Sequence, residues 1–106
     1  MPTTITVIFD NPTDPAAFEA GYADGFVDLA RALPGLQRLE TSKVWPKEDG
    51  SPTPAYRMLV LYFADYAAAS AAVTTEAAGA FFPAAMGLAT GGARFVFFDV
   101  EESSGI

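Results

Sequence analysis

Residues 14–36, DPAAFEAGYADGFVDLARALPGL, spell out a helix with both of its ends marked. Asp14 is a residue type whose carboxylate accepts from the free N–H groups of a first turn, and Pro15 suits the first helical position. Phe18, Tyr22, Phe26, Leu29 and Leu33 then recur at steps of three and four, which puts them on one face. Pro34-Gly35 cannot continue the helix and forces a turn before Leu36 opens an extended run. The aromatic stripe must lie on something, and Tyr22 and Phe26 are the members around which a pocket would be built. Gly21 and Gly25 fall inside the helix, where each costs about 1 kcal/mol relative to alanine. A helix carrying both gains from close backbone approach on that side. Glu19, Asp24, Asp28 and Arg31 take the outer side, the pattern of a solvated face.

On the N-terminal side, residues 4–10 (TITVIFD) alternate polar with β-branched or aromatic side chains, a first strand. Asn11-Pro12-Thr13 turns the chain into the helix cap. On the C-terminal side, residues 36–45 (LQRLETSKVW) interleave charge as an edge strand does. Residues 46–54 (PKEDGSPTP) are a prolyl, acidic loop and the segment expected to be flexible. Residues 56–63 (YRMLVLYF) are nearly all apolar, as in a central strand covered on both faces. Asp65 caps a second helix through Tyr66, Ser70 and Val73, alanine-rich and so able to approach its neighbour closely. Thr74-Thr75-Glu76 restarts a helix through Phe81 and Phe82, which Pro83 is expected to kink or end. Met86 and Leu88 add apolar bulk before Gly91-Gly92. Residues 94–100 (RFVFFDV) are the last strand, and residues 101–106 an acidic, loose tail.

The order β-α-β-β-α-β is the split βαβ arrangement. It predicts an α+β fold: an antiparallel sheet in the order 4-1-3-2 with the helices on one face, as one domain over residues 1–106 and an ordered core of about 4–100. The fourth strand then lies at an edge while holding Phe95, Val96, Phe97 and Phe98 in a row. An exposed edge of that kind aggregates. Burial against a second copy, sheet on sheet, relieves it, so a two-fold homodimer is expected with Phe95, Phe97, Phe98 and Trp45 at the contact.

With 51% hydrophobic and 13% aromatic residues in 106 positions, the chain is a folded domain rather than a disordered segment. No apolar run reaches the ~20 residues a membrane span needs. The start, Met1-Pro2-Thr3-Thr4, lacks a basic flank, so no signal peptide and a cytoplasmic location are expected. The absence of cysteine removes disulfides, thiol catalysis and the usual structural zinc sites. A net charge of −7 disfavours nucleic acid and anionic membranes as partners. There is no histidine either, so any acid–base step falls to a carboxylate, tyrosine, lysine or water. Gly91-Gly92 lacks the strand–helix context of a phosphate loop. No cofactor and no metal are expected.

The run F-x-x-G-Y-x-x-x-F-x-x-L-A-x-x-L-P-G-L, from Phe18 to Leu36, resembles the signature region of the EthD family, F-x-x-x-Y-x-x-x-H-x-P-L-A…P-G-L. Leu61-Tyr62-Phe63-Ala64-Asp65-Tyr66 resembles that family's strand ending before the second helix, and Thr74-Thr75-Glu76 stands where it often has Ser-Pro-Glu. The resemblance implies ferredoxin-like subunits packed sheet to sheet as a dimeric α/β barrel, with a ligand cavity between helices and sheet. It further implies kinship with proteins encoded beside ethyl tert-butyl ether degradation genes, and with monooxygenases, isomerases, cyclases and dehydratases acting on small hydrophobic or aromatic compounds. Where the family has histidine this chain has Phe26, and Asp28 replaces the proline two residues on. Histidine chemistry therefore does not carry over, and Tyr22 alone matches among the polar pocket positions.

The expected ligand pocket is Tyr22, Phe26, Arg38, Tyr62, Phe81, Phe82 and Met86, with Tyr22 the best catalytic candidate. Tyr22 would donate to a ligand oxygen; as a core residue its hydroxyl would instead reach a backbone carbonyl. Phe26, Phe81, Phe82 and Met86 line an apolar site or simply form core. Arg38 and Arg57, on paired strands, would anchor a carboxylate or phenolate bidentately, or form surface pairs with Glu40 or Asp65. Trp45 and Tyr56 flank the hairpin loop, as gate or as interface. Two functions follow. One is a dimer holding a small hydrophobic or aromatic catabolic intermediate for cofactor-free oxygenation or isomerisation; the other is a non-catalytic accessory dimer of a degradation pathway.

Overall fold

In the computed structural model, which describes all 106 residues, four strands form one antiparallel sheet in the order β2-β3-β1-β4. They are β1 (Thr3–Phe9), β2 (Arg38–Lys43), β3 (Arg57–Phe63) and β4 (Ala93–Asp99). This is the expected order, with β1 and β3 central. β1 sets Ile5 opposite Leu61 on one side and Phe97 on the other, and Val7 opposite Leu59 and Phe95. Side chains alternate across a strand, so Ile5, Val7, Phe9, Leu59, Leu61 and Phe63 share one face, where all are fully buried. Each such side chain contributes roughly 1.5–3 kcal/mol relative to exposure.

That face is covered by α1 (Pro15–Gly21), α2 (Val27–Arg31), α3 (Tyr66–Ala72) and α4 (Glu76–Leu88). With the segments between them they add Phe18, Phe26, Ala30, Leu33, Ala69, Ala72 and Phe81 to a single core. The caps are those the sequence marks. Asp14 accepts from the amides of Ala16 and Ala17, Asp65 from Ala68, and Thr75 from Ala78. No helix is long and apolar enough to cross a membrane.

Two expectations about the helices are corrected. The first helix does not run unbroken to Leu33: a wide turn over Tyr22–Phe26 separates α1 from α2, with Asp24 at φ −89°, ψ 54° and Gly25 at φ 80°. Asp-Gly is a turn pair, and glycine alone takes the left-handed conformation at little cost. Gly21 does mark a close approach, since a Cβ there would meet Leu88 Cδ2 at 2.6 Å. Pro83 does not end the last helix, which continues to Leu88. Only one backbone bond is lost there, and Phe81 and Ala85, both fully buried, fasten the two halves to the core.

The opposite face of the sheet carries no helix. Thr4, Thr6 and Ile8 lie there between Met58, Val60 and Tyr62 of β3 and Val96 and Phe98 of β4. Thr4 and Thr6 are nonetheless buried, beneath the larger neighbours paired with them. Val96 and Phe98 remain 41% and 44% exposed. The aromatic residues expected at a dimer contact are divided. Phe98 is on this open face, but the alternation sends Phe95 and Phe97 to the helix side. Phe95 packs edge-on against Phe82 at 5.5 Å and Phe97 lies beside Tyr66 at 6.4 Å. Trp45 stands past the end of β2 with its ring in solvent.

Candidate functional site

Tyr22 sits where α1 gives way to the turn. Its ring is stacked on Phe18 at 6.0 Å and tilted against Phe26 at 5.7 Å. The Arg57 guanidinium lies over the same ring, 4.4 Å from its centre. The Tyr22 hydroxyl is buried without a hydrogen-bond partner, alone among the buried side-chain polar atoms of the chain. A buried, unpaired group of this kind costs about 1–3 kcal/mol, and native structures contain few.

Arg57 occupies the first position of β3. Its Nε and Nη2 both donate to the Glu19 carboxylate, at 2.9 and 2.5 Å, across the gap between sheet and α1. The paired geometry fixes both groups. Those hydrogen bonds hold the Glu19 carboxyl below the usual carboxylate range and raise Arg57 further. Beside them, Lys43 of β2 stands opposite Arg57 in register with its ammonium 4.9 Å from the Tyr56 ring centre. Tyr56 meets Phe18 edge-on at 5.1 Å, so the rings run unbroken from Tyr56 through Phe18 to Tyr22. A cleft of about 360 Å³ opens at the helix break, lined by Tyr22, Ala23, Gly25, Val27, Asp28 and Arg31. Arg31 is paired with Asp28 at its rim. Chemically this is a mixed recess, walled by Ala23, Gly25 and Val27 and by the Asp28–Arg31 pair, beside a tyrosine whose buried hydroxyl is uncommitted.

The residues expected to form one pocket do not converge. Phe26 stacks on Phe81 at 5.3 Å and meets Phe9 at 5.9 Å, while Phe82 packs edge-on against Phe81. Phe26 and Phe81 are 3% and 0% exposed, so they fill the space beneath the helices. Arg38 and Tyr62 lie on the open face of the sheet, turned there by strand alternation. The Tyr62 hydroxyl donates to Glu40 at 2.9 Å and Arg38 donates to the same carboxylate at 2.7 Å. That bond from Tyr62 keeps the Glu40 carboxyl low, and the carboxylate raises the Tyr62 phenol. Met86 points outward, 54% exposed. Arg57 takes the place expected of Arg38 and pairs with Glu19 instead of Asp65; Glu19 is thereby withdrawn from the solvated face assigned to it.

Sequence reasoning missed Glu19 and the helix break, although signals for both exist. Glu19 adjoins the stripe at Phe18 and lies one turn before Tyr22. Arg57 is the lone charge in an otherwise apolar strand, which asks for a partner. Asp24-Gly25 is a turn dipeptide in mid-helix.

No family model matches the chain. An uncharacterized 11.0 kDa protein in the thcB–thcC intergenic region of Rhodococcus erythropolis is 31% identical over 97 residues, which covers 92% of this chain and 93% of that one. Among solved structures, an ethyl tert-butyl ether degradation (EthD) family protein of Bacillus halodurans superposes with a TM-score of 0.85 at 22% identity, over 94% of this chain and 99% of its own. SnoaB, a cofactor-independent oxygenase from Streptomyces nogalater, gives 0.67 at 18% identity over 96% and 95%. A dimeric ferredoxin-like protein of unknown function from Jannaschia sp. CCS1 gives 0.63 at 20% over 94% and 100%. The chain belongs to the same family as the Rhodococcus protein, and its ferredoxin-like α+β fold is of the EthD type.

Proposed function

We propose that this protein is a homodimer, and that each subunit binds a small hydrophobic or aromatic compound bearing an oxygen atom at Tyr22. The observation that carries the reading is the buried Tyr22 hydroxyl, left without a partner in a residue that lines the cleft at the helix break. A ligand carbonyl or phenol oxygen would accept from it and remove the cost of its isolation. Arg57, its charge balanced by Glu19, lies over the Tyr22 ring and fixes the ring that carries the hydroxyl. Confinement and a donor to the enolate oxygen would favour cofactor-free oxygenation or isomerisation of an enolisable compound whose carbon-bound proton passes to water, and the likeness to a cofactor-independent oxygenase supports that class. The open sheet face, with Val96 and Phe98 uncovered, and the likeness to a dimeric neighbour support the dimer.

A second reading, a non-catalytic accessory dimer, is favoured by Phe26 and Phe81. They fill the space beneath the helices where a deeper substrate cavity would lie. Thermal-shift screening of wild type and Tyr22→Phe against neutral phenols, quinones and short ethers tests the binding proposal. A ligand at 100 times its dissociation constant adds about 2.7 kcal/mol. The proposal expects a shift in wild type that shrinks in the variant; no shift with any compound overturns it. Turnover of a bound compound under oxygen, or its isomerisation, separates the enzyme from the accessory.

A further inference from the structure

The loop between β2 and β3 is held at its base by bonds to three other parts of the chain. Asn11 Nδ2 donates to the Thr53 carbonyl at 2.8 Å, and the Tyr56 amide donates to the Phe9 carbonyl at 2.7 Å. Arg94 donates to the Pro54 carbonyl at 3.3 Å. Between loop and sheet is a cavity of about 290 Å³ whose walls include Lys43, Val44, Pro46, Lys47, Pro52 and Tyr56. It is separate from the cleft at the helix break.

Charge marks this cavity. The chain has six basic side chains against thirteen acidic ones. Arg31, Arg38, Arg57 and Arg94 are each paired with a carboxylate. The two left without an ion pair, Lys43 and Lys47, both line this cavity. Of the nearby acids, Glu19 is held by Arg57 while lying within the field of Lys43, Asp49 accepts from the amide and hydroxyl of Ser51, and Glu48 adjoins Lys47 in sequence. Lys43 is steadied over the Tyr56 ring. Two ammonium groups without an ion pair, in an acidic protein, point to a site for an anion, and the aromatic and prolyl walls give it an apolar body to hold. The volume is at the lower end for ligand sites, which suits a single ring.

We infer that this cavity binds a small aromatic carboxylate, with its ring against Tyr56 and the prolyl wall and its carboxylate on Lys43 and Lys47. The reading is independent of the Tyr22 site. Trp45, the only tryptophan, follows Val44 beside the cavity and serves as reporter. The test is titration of the full chain with benzoate, followed by Trp45 fluorescence and by calorimetry, with benzyl alcohol and sulfate as controls. Expected are saturable benzoate binding that weakens at high ionic strength, persists in Tyr22→Phe, and falls about tenfold or more, some 1.4 kcal/mol, in Lys43→Gln/Lys47→Gln. Both lysines are exposed, and an unchanged far-UV spectrum verifies that the double variant is folded. Absence of benzoate binding at millimolar concentration, or equal binding to the double variant, overturns the site. Equal binding of benzyl alcohol overturns the role of charge, and equal competition by sulfate overturns the aromatic part.

Discussion

Tyr22→Phe should make the protein more stable while weakening the binding proposed for it. The substitution removes one oxygen and keeps the ring between Phe18 and Phe26 with Arg57 above it. Because the hydroxyl is buried without a partner, its removal recovers about 1–3 kcal/mol of desolvation cost. For a domain of this size 1 kcal/mol corresponds to about 4–8 °C in melting temperature, so even the low end is a shift easily measured. The assay is thermal unfolding of both proteins at one protein concentration, since the melting point of a dimer depends on it, with denaturant unfolding as the second measure. A melting temperature that falls refutes the reasoning, for it means the hydroxyl already makes a bond worth keeping. A rise without any loss of phenol or quinone binding separates the stability argument from the functional one and sinks the latter.

Other outcomes follow from the same geometry. Phe98→Asp, on the uncovered sheet face, should convert the proposed dimer to a monomer that keeps its far-UV spectrum; sedimentation equilibrium reads the mass. Gly91→Ala should lose about 1–3 kcal/mol or more, because the new Cβ would lie 1.9 Å from the Asn11 carbonyl oxygen; urea unfolding measures it. Glu19 titrates lower when folded than its unfolded value of about 4.3. Its contribution is therefore complete above that pH and is lost as pH falls through the lower folded value, so Glu19→Gln should flatten the acid limb of a stability–pH curve. Phe26→Ala should cost about 3–5 kcal/mol as a core ring, seen in the same unfolding assay.

Most of the architecture is legible in the sequence because each element carries its own local mark. Asp14, Asp65 and Thr75 cap helices as residue types that compete for free amides should. The near-continuous apolar run of β3 announces a central strand. The site is less legible, because it depends on which way each strand faces. A shift of one residue along a strand exchanges the two faces, and it is this alternation that sends Arg38 and Tyr62 away from Tyr22 and brings Arg57 to it. The split of Phe95 and Phe97 from Phe98 has the same cause. The helix break escaped because the three-and-four spacing of the aromatic stripe continues across it: Tyr22 and Phe26 stay in contact although Gly25 is not helical.

A crystal structure of the protein with a bound phenol tests the central claim most directly. The account predicts the ligand oxygen within about 2.5–3.0 Å of Tyr22 Oη, its ring in the recess at the helix break. Tyr22 Oη bonded instead to a protein acceptor, with the phenol lodged elsewhere or absent, would contradict it.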